Sequence, residues 1–474
     1  MSPPPAWRDA ARTRLRSDPF DVLVVGGGIN GAGIARDAAL RGLKVALVER
    51  ADFASGTSSR SSRLVHGGVR YLEHGYLHLV FESSRERRTL LRIAPHLVRP
   101  LEFTWPSYRG ARIPRWKLRA GLWLYDVLAL FRNVARHRAL GVRAVTEREP
   151  ALAREGLTGG ATYFDAATDD ARLTLANVVD AAKAGAVVLN YAGVVSILFD
   201  GGRAAGAVVR DSIAGDGFEV RAAVVVNATG PWTDSVSRME DPASHAAVLG
   251  TKGVHISVPA ERVGNRGAVT LLSPTDGRVM FVLPAGALTI IGTTDTATTE
   301  TPDGVRATLA DVQYLLDCAN ASFPAAKLVP GDVVSAWAGI RPLIASGNAG
   351  DPAGASREHQ VVVGPRGVIA VTGGKLTTYR SMSAEVVDAV QRRLGMRVSD
   401  TETARRVLPD VSNEFACTIG DVLIRRTKVA FETRDHGMAA APEVAAEFGW
   451  SGGDAARAIE EFRVEIDRMF GLED

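Results

Sequence analysis

DVLVVGGGINGAGIARDAALRGLKVALVE, from Asp21 to Glu49, is the stretch whose reading decides the fold. The apolar run Asp21–Val25 predicts a strand, Gly26, Gly28 and Gly31 form G-x-G-x-x-G, a helical pattern follows to Arg41, and Lys44–Glu49 reads as a second strand. Each glycine has a physical task. Gly26 permits the tight turn, Gly28 lets backbone N–H groups approach a pyrophosphate at the helix N-terminus, and Gly31 lets helix and strand pack closely. Glu49, at the end of the second strand, suits the hydroxyl pair of a ribose. Strand, glycine turn, helix, strand and terminal acid make a complete nucleotide-binding βαβ unit for an adenine dinucleotide. The unit by itself leaves FAD and NAD unseparated.

Around this unit the chain reads as an ordinary globular α/β protein with a discontinuous nucleotide domain. With 474 residues it is long enough for two or three domains. Its 56 basic and 53 acidic residues leave a net charge of only +3, which gives no global attraction to nucleic acid. Cys318 and Cys417 sit far apart in no ligand-like spacing, an argument for a reducing compartment and against a disulfide scaffold. Residues 1–18 carry Pro3, Pro4, Pro5 and several arginines but no apolar signal-peptide core, so a disordered extension and no secretion are expected. No apolar run approaches the roughly 20 residues that span a bilayer, which argues against integral insertion. Strands are expected at Ala223–Asn227, Val279–Leu283 and Val368–Val371. Helices are expected at about Tyr76–Ala94, Arg115–Phe131, Leu173–Ala184 and Leu309–Ala319. Beyond about Gly395 the pattern turns helical and polar, as in a small separate unit.

Three further segments suit a cofactor cleft. TSSRSSRLVHGGVRYLE (Thr57–Glu73) has hydroxyls, glycines and Arg70 in a loop soon after the second strand. VVVNATGPW (Val224–Trp232) is a buried strand ending in small residues. VIAVTGGKLTTYR (Val368–Arg380) is a strand, a Gly373-Gly374 turn and a helix start, and a helix N-terminus there would stabilise negative charge on a reduced flavin. Taken in order with APHLV, DDARLTLAN, KGVHI, IGTTD and GIRPL, these blocks resemble the FAD-dependent glycerol-3-phosphate dehydrogenases, the aerobic bacterial and mitochondrial family. The resemblance covers most of Asp21–Arg380.

The resemblance implies FAD, held without a covalent bond because no cysteine or histidine stands in a flavin-linking pattern. It implies a Rossmann-like FAD domain of the glutathione-reductase and amino-acid-oxidase type, a β-sheet substrate domain and a short helical C-terminal domain. The expected boundaries are 19–75, 150–235 and 330–395 for the FAD domain, 76–149 and 236–329 for the substrate domain, and 396–474 for the tail. It assigns the cofactor to Gly26, Gly28, Asn30, Gly31, Glu49, Thr57, Ser58, Ser62, Gly230, Gly374, Lys375, Leu376 and Thr377. It assigns the substrate to Arg70, Tyr71, His255, Arg341 and Lys375.

Glycerol 3-phosphate demands clustered cations for its phosphate and an acceptor for its C2 hydroxyl proton. Arg70, Arg341 and Lys375 supply the charge, each beside a glycine turn, and Arg341 sits among apolar residues in AWAGIRPL. His255, Arg341 and Lys375 are the candidate catalytic residues. His255 titrates nearest neutrality and suits the base, while Lys375 as alkoxide stabiliser and Tyr71 as proton relay remain open. His74 and His78 lack a third ligand, so no metal is expected. Arg109–Arg138 has eight basic residues against the single acid Asp126, wrapped around GLWLYDVLALF, as in an interfacial helix on anionic lipid. With the resemblance this implies a cytoplasmic protein, peripheral on the inner face of the cell membrane, that passes electrons to membrane quinone; a homodimer is among the partners it allows. Relative to the family the tail looks shortened between Asp410 and Phe415. Two other readings compete: an oxidase of the same fold acting on glycerol 3-phosphate or an amino acid, and a non-catalytic flavin-binding interaction protein.

Overall fold

A computed structural model describes residues 6–244, 248–344 and 358–474, apart from the side chains of Arg70 and His74. The strands that position the site are β1 (Phe20–Val25), β2 (Val45–Val48), β3 (Val98–Tyr108), β4 (Leu157–Thr168), β5 (Val187–Leu189) and β6 (Gly217–Asn227). They continue with β7 (Val248–Pro259), β8 (Val279–Ala285), β9 (Leu288–Gly292), β10 (Ser335–Ile344), β11 (His359–Val363) and β12 (Ile369–Gly373). The main helices are α1 (Ala6–Ser17), α2 (Ile29–Leu40), α3 (Leu77–Ile93), α4 (Arg115–Leu128), α5 (Asp170–Lys183), α6 (Leu309–Ser322), α7 (Tyr379–Arg393) and α8 (Gly452–Phe470). The periodicities in the sequence thus locate α3 to α6, β6, β8 and β12.

The first sheet has the order β11-β12-β6-β1-β2-β5. Its strands from β12 to β5 are parallel, and β11 is an antiparallel edge. Parallel strands carry cover on both faces, which is why β1 and β2 are near-continuous apolar runs with Val22, Leu23, Val24, Ala46 and Leu47 fully buried. Ala32, Ala35 and Ala38 on α2 keep that helix close to α5 and α7. In the second sheet β10 pairs with β7, β7 with β9 and β9 with β8. The strand Ala268–Leu272 then links β8 to β3, and β3 pairs with β4.

Two expectations are corrected. Residues 6–17 form α1 instead of a disordered extension. Arg8, fully buried, donates to the Asn190 carbonyl at 2.8 Å and to Asp211 at 2.8 Å, and Trp7 packs edge-on against Phe415. A composition rich in arginine does not reveal that one of them has a buried carboxylate. Second, β4 and β10, allotted by position to the nucleotide segments, hydrogen-bond in the second sheet; an apolar run predicts a strand but not its partner. The tail is the expected helical C-terminal domain, and it packs directly on the second sheet. Phe431, Phe462, Ile466 and Phe470 share a core with Phe103, Tyr163 and Trp337 of the second sheet. Arg425 and Arg426 reach back to Asp52, three residues past Glu49, at 2.6 and 3.0 Å.

Candidate active site

Between the two sheets runs a cavity of about 1000 Å³, lined from the glycine turn after β1 to the turn after β12 and walled on one side by α8. At one end the Gly26–Gly28 turn leads into α2, where the Ile29 N–H donates to the Ser58 hydroxyl at 2.9 Å. Glu49 accepts from the Gly27 N–H at 2.6 Å and the Ala51 N–H at 2.9 Å. Burial pushes its carboxyl above the usual range, and those two N–H groups oppose the shift. Thr57 donates to the Ile340 carbonyl at 2.7 Å, pinning this loop on β10. An open helix N-terminus, an acid at the end of β2 and this long cavity fit a dinucleotide cofactor.

At the other end β7 and β10 bring two candidates onto adjacent strands. His255 opposes Trp337 in the register of β7 and β10, and their rings stack at 5.5 Å with an interplanar angle of 11°. Its Nε2 lies 2.8 Å from the Ser62 hydroxyl. Burial first, then Arg341 and Arg63, lower the imidazole to about 3, so it is neutral at working pH. Arg341 does not stand in an apolar enclosure as AWAGIRPL suggests. Its guanidinium donates to Asp295 at 2.9 Å, the Thr293 hydroxyl at 3.0 Å and the Thr294 carbonyl at 3.2 Å, and its side chain is 29% exposed. Alternation accounts for part of the difference, because its immediate apolar neighbours on β10, Ile340 and Pro342, point to the opposite face.

The turn after β12 has both glycines in the left-handed region, Gly373 at φ 72° and Gly374 at φ 78°. It delivers Lys375, whose Nζ lies 3.6 Å from the centre of the Tyr71 ring. The helix expected there begins as one 3₁₀ turn, Leu376–Thr378, before α7. Gly26, Gly28, Asn30, Glu49, Thr57, Ser58, Ser62, Tyr71, Gly230, His255, Arg341, Gly374, Lys375 and Leu376 all line the cavity. Gly31 instead packs α2 on the glycine turn, and Thr377 is buried behind the wall with its hydroxyl accepting from the His66 N–H at 3.1 Å. The side chain of Arg70 lies outside the described residues.

Other groups at this cavity escape a sequence reading. Arg50, next to Glu49, lies 4.4 Å from the Trp232 ring centre and pairs with Asp303, which also accepts from the Trp232 indole at 3.2 Å. Arg60 lines the wall near α8, where burial and then Arg468 and Arg425 lower its guanidinium to about 10. No spacing rule links Arg50 to Asp303, or Arg60 to a helix four hundred residues on.

A family profile described as FAD dependent oxidoreductase matches residues 21–380, and one described as the C-terminal domain of alpha-glycerophosphate oxidase matches residues 410–454. The chain is 43% identical over 417 residues to glycerol-3-phosphate dehydrogenase 2 of Mycobacterium tuberculosis, covering 87% of this chain and 70% of that protein. It is 35% identical over 466 residues to the aerobic glycerol-3-phosphate dehydrogenase of Staphylococcus aureus, covering 98% and 82% respectively. The crystal structure of the glycerol-3-phosphate dehydrogenase from Bacillus halodurans complexed with FAD superposes with a TM-score of 0.81 at 31% identity, over 98% of this chain and 99% of that one.

Proposed function

The chain belongs to the FAD-dependent glycerol-3-phosphate dehydrogenase family, and we propose that it oxidises sn-glycerol 3-phosphate to dihydroxyacetone phosphate and passes the electrons to a membrane quinone. The observation that carries the reading is that His255, Arg341, Lys375 and Tyr71 line the same cavity as Glu49 and the glycine turn, with Arg341 beside the His255 imidazole and Lys375 over the Tyr71 ring. Bound FAD supplies the acceptor for the hydride that leaves C2.

The protein's own residues bind, orient and move the proton. Gly26, Gly28, Ser58 and Glu49 would hold the nucleotide end of the cofactor, and Gly230 with the turn from Gly374 to Leu376 would hold the flavin end. Arg341, with Arg70 and Lys375, takes the phosphate. His255, neutral because it is buried beside two arginines, accepts the C2 hydroxyl proton, with Ser62 fixing its ring at 2.8 Å. Arrival of a dianion offsets the repulsion from Arg341 and Arg63, so the imidazolium is least costly when substrate is in place. Three cations favour a phosphate dianion over the single carboxylate of an amino acid. The test is anaerobic addition of sn-glycerol 3-phosphate to the purified flavoprotein. The oxidised flavin absorbance should bleach and return with a quinone analogue faster than with oxygen; a flavin that stays oxidised would overturn the substrate, and faster return with oxygen would favour the oxidase reading.

The quinone and a position on the inner face of the cell membrane draw support from α4. Trp116 and Trp123 are 73% and 58% exposed on it, followed by exposed Leu130, Phe131 and Val134, with Arg115, Lys117, Arg119, Arg132 and Arg136 exposed among them. Among the described residues no helix is long and apolar enough to cross a membrane. Such a mixed surface suits the plane of an anionic interface, where each basic residue contributes about 1 kcal/mol at modest ionic strength. Co-sedimentation with anionic vesicles is therefore expected at low salt, to weaken as salt rises and to drop when Trp116 and Trp123 are both replaced by alanine. Equal binding to neutral vesicles would count against the electrostatic part.

A further inference from the structure

The segment Gly67–Gly75 carries Arg70 and Tyr71 and consists of a left-handed glycine, Gly68, followed by a 3₁₀ turn over Val69–His74, with Tyr71 buried in the core beside the second sheet. Hydrogen bonds also hold it from outside at three points. At its entrance the His66 N–H donates to the Thr377 hydroxyl at 3.1 Å, which ties it to the turn that carries Lys375. One residue on, the Gly67 N–H donates to Asp165 of β4 at 2.9 Å. At its exit Glu73 accepts from Arg112 at 3.0 Å and from Lys117 of α4 at 3.3 Å.

The middle point is the unusual one. Asp165 is 3% exposed and lines the cavity. The same carboxylate oxygen that takes the Gly67 N–H also accepts from the Tyr125 hydroxyl of α4 at 2.6 Å and from Arg87 of α3. Arg87 in turn donates to the Tyr125 hydroxyl at 2.6 Å, closing the triangle. Tyr125 presses on the loop as well, since a Cβ at Gly67 would stand 2.2 Å from its hydroxyl oxygen. A buried ion pair roughly breaks even in stability against apolar side chains, because desolvation cancels most of the attraction. Its return is directional: three groups from three elements fix one backbone N–H.

We infer that Asp165, held by Arg87 and Tyr125, is a positioning residue that sets the Gly67–Tyr71 segment against Lys375 so that the phosphate of the substrate meets a preformed site. The inference rests on the proposed oxidation of glycerol 3-phosphate. Tyr71 and Lys375 are in contact already, and their mutual placement depends on where the segment starts. Removing the Tyr125 hydroxyl takes away one of the two side-chain donors that fix the Asp165 carboxylate and so loosens the acceptor of the Gly67 N–H.

Tyr125→Phe and Glu73→Gln test it, each as flavin-loaded protein normalised to FAD. In rapid anaerobic mixing with sn-glycerol 3-phosphate, the half-saturating concentration for flavin reduction should rise about tenfold in Tyr125→Phe, in line with loss of one hydrogen bond to a charged group, and less in Glu73→Gln. FAD content and reduction by dithionite should stay at the wild-type level, and peptides spanning residues 67–75 should exchange amide hydrogen faster. Half-saturation unchanged in both variants, with the wild type reduced normally, overturns the positioning role. Glu73→Gln, at the solvent-facing end, decides the matter should Tyr125→Phe fail to retain FAD. A wild type that glycerol 3-phosphate does not reduce sinks the functional reading itself, a separate outcome.

Discussion

Arg341→Ala should lower kcat/KM for sn-glycerol 3-phosphate by more than about tenfold and erase most of the preference for it over glycerol. Truncating one partner of a buried hydrogen-bonded charge pair costs roughly 2–5 kcal/mol; Arg341 is partly exposed, so the low end of that range applies, and it already exceeds a tenfold effect. Asp295 sharpens the expectation. It lies 2.9 Å from the guanidinium, so the variant removes the cation that faces this carboxylate at the place where a phosphate must approach. Glycerol has no phosphate and should be used about as poorly as before. An arginine of purely structural value would instead reduce the yield of flavin-loaded protein and leave the ratio of the two substrates unchanged. Measuring both substrates on flavin-normalised protein separates these results.

Gly31→Ala should yield protein that retains little FAD and melts at a lower temperature. A Cβ at Gly31 would lie 1.8 Å from the Gly26 carbonyl oxygen and 3.0 Å from its carbon, a collision with backbone that no side-chain rotation relieves. Helix α2 must tilt away from β1, which both opens the Gly26–Gly28 turn and unpacks the alanine face that meets α5 and α7. Overpacking typically costs roughly 1–3 kcal/mol, and here the same displacement dismantles the nucleotide end of the cavity. Gly121→Ala is the matched control, since a Cβ there meets nothing within 4 Å in the middle of α4. That change should be neutral or slightly stabilising. FAD-to-protein absorbance ratios, acid-released flavin and thermal melts on both variants read the contrast; a Gly31→Ala protein with full FAD would refute the packing role.

The parts of this molecule that announce themselves in sequence are those whose physics is local. Asp21–Glu49 predicts strand, turn, helix and strand because a parallel strand must be apolar on both faces and a glycine turn admits few alternatives. His255 and Lys375 are legible as chemistry because of their residue type and the turns or strands beside them. What stays hidden depends on pairing across the chain. Arg341 reads as a cation in an apolar strand until its neighbour Asp295 is seen. Ser62, legible only as a cofactor-loop hydroxyl, is the hydrogen-bond partner of His255. Arg8, Asp52, Asp165 and Arg425 look like ordinary surface charges in the sequence, yet each is buried against a partner on a distant segment. The helical tail reads as an appendage because its amphipathic pattern shows that it packs, not on what.

The parallel sheet also dictates an order of manufacture. As the chain leaves the ribosome, β1 and β2 come early, but the other side of β1 waits for β6, and β6 waits for β12 at Ile369–Gly373. Through most of translation the growing polypeptide therefore carries an apolar, unpaired strand edge, the feature that chaperones recognise and that promotes aggregation. A flavin cannot shorten this interval, because the turn that would grip its far end is made last among the strands of that sheet. It acts afterwards, by mass action, drawing the finished chain into the native state as its free concentration exceeds the dissociation constant. A larger flavin supply is therefore expected to raise the fraction of finished chain held in the native state.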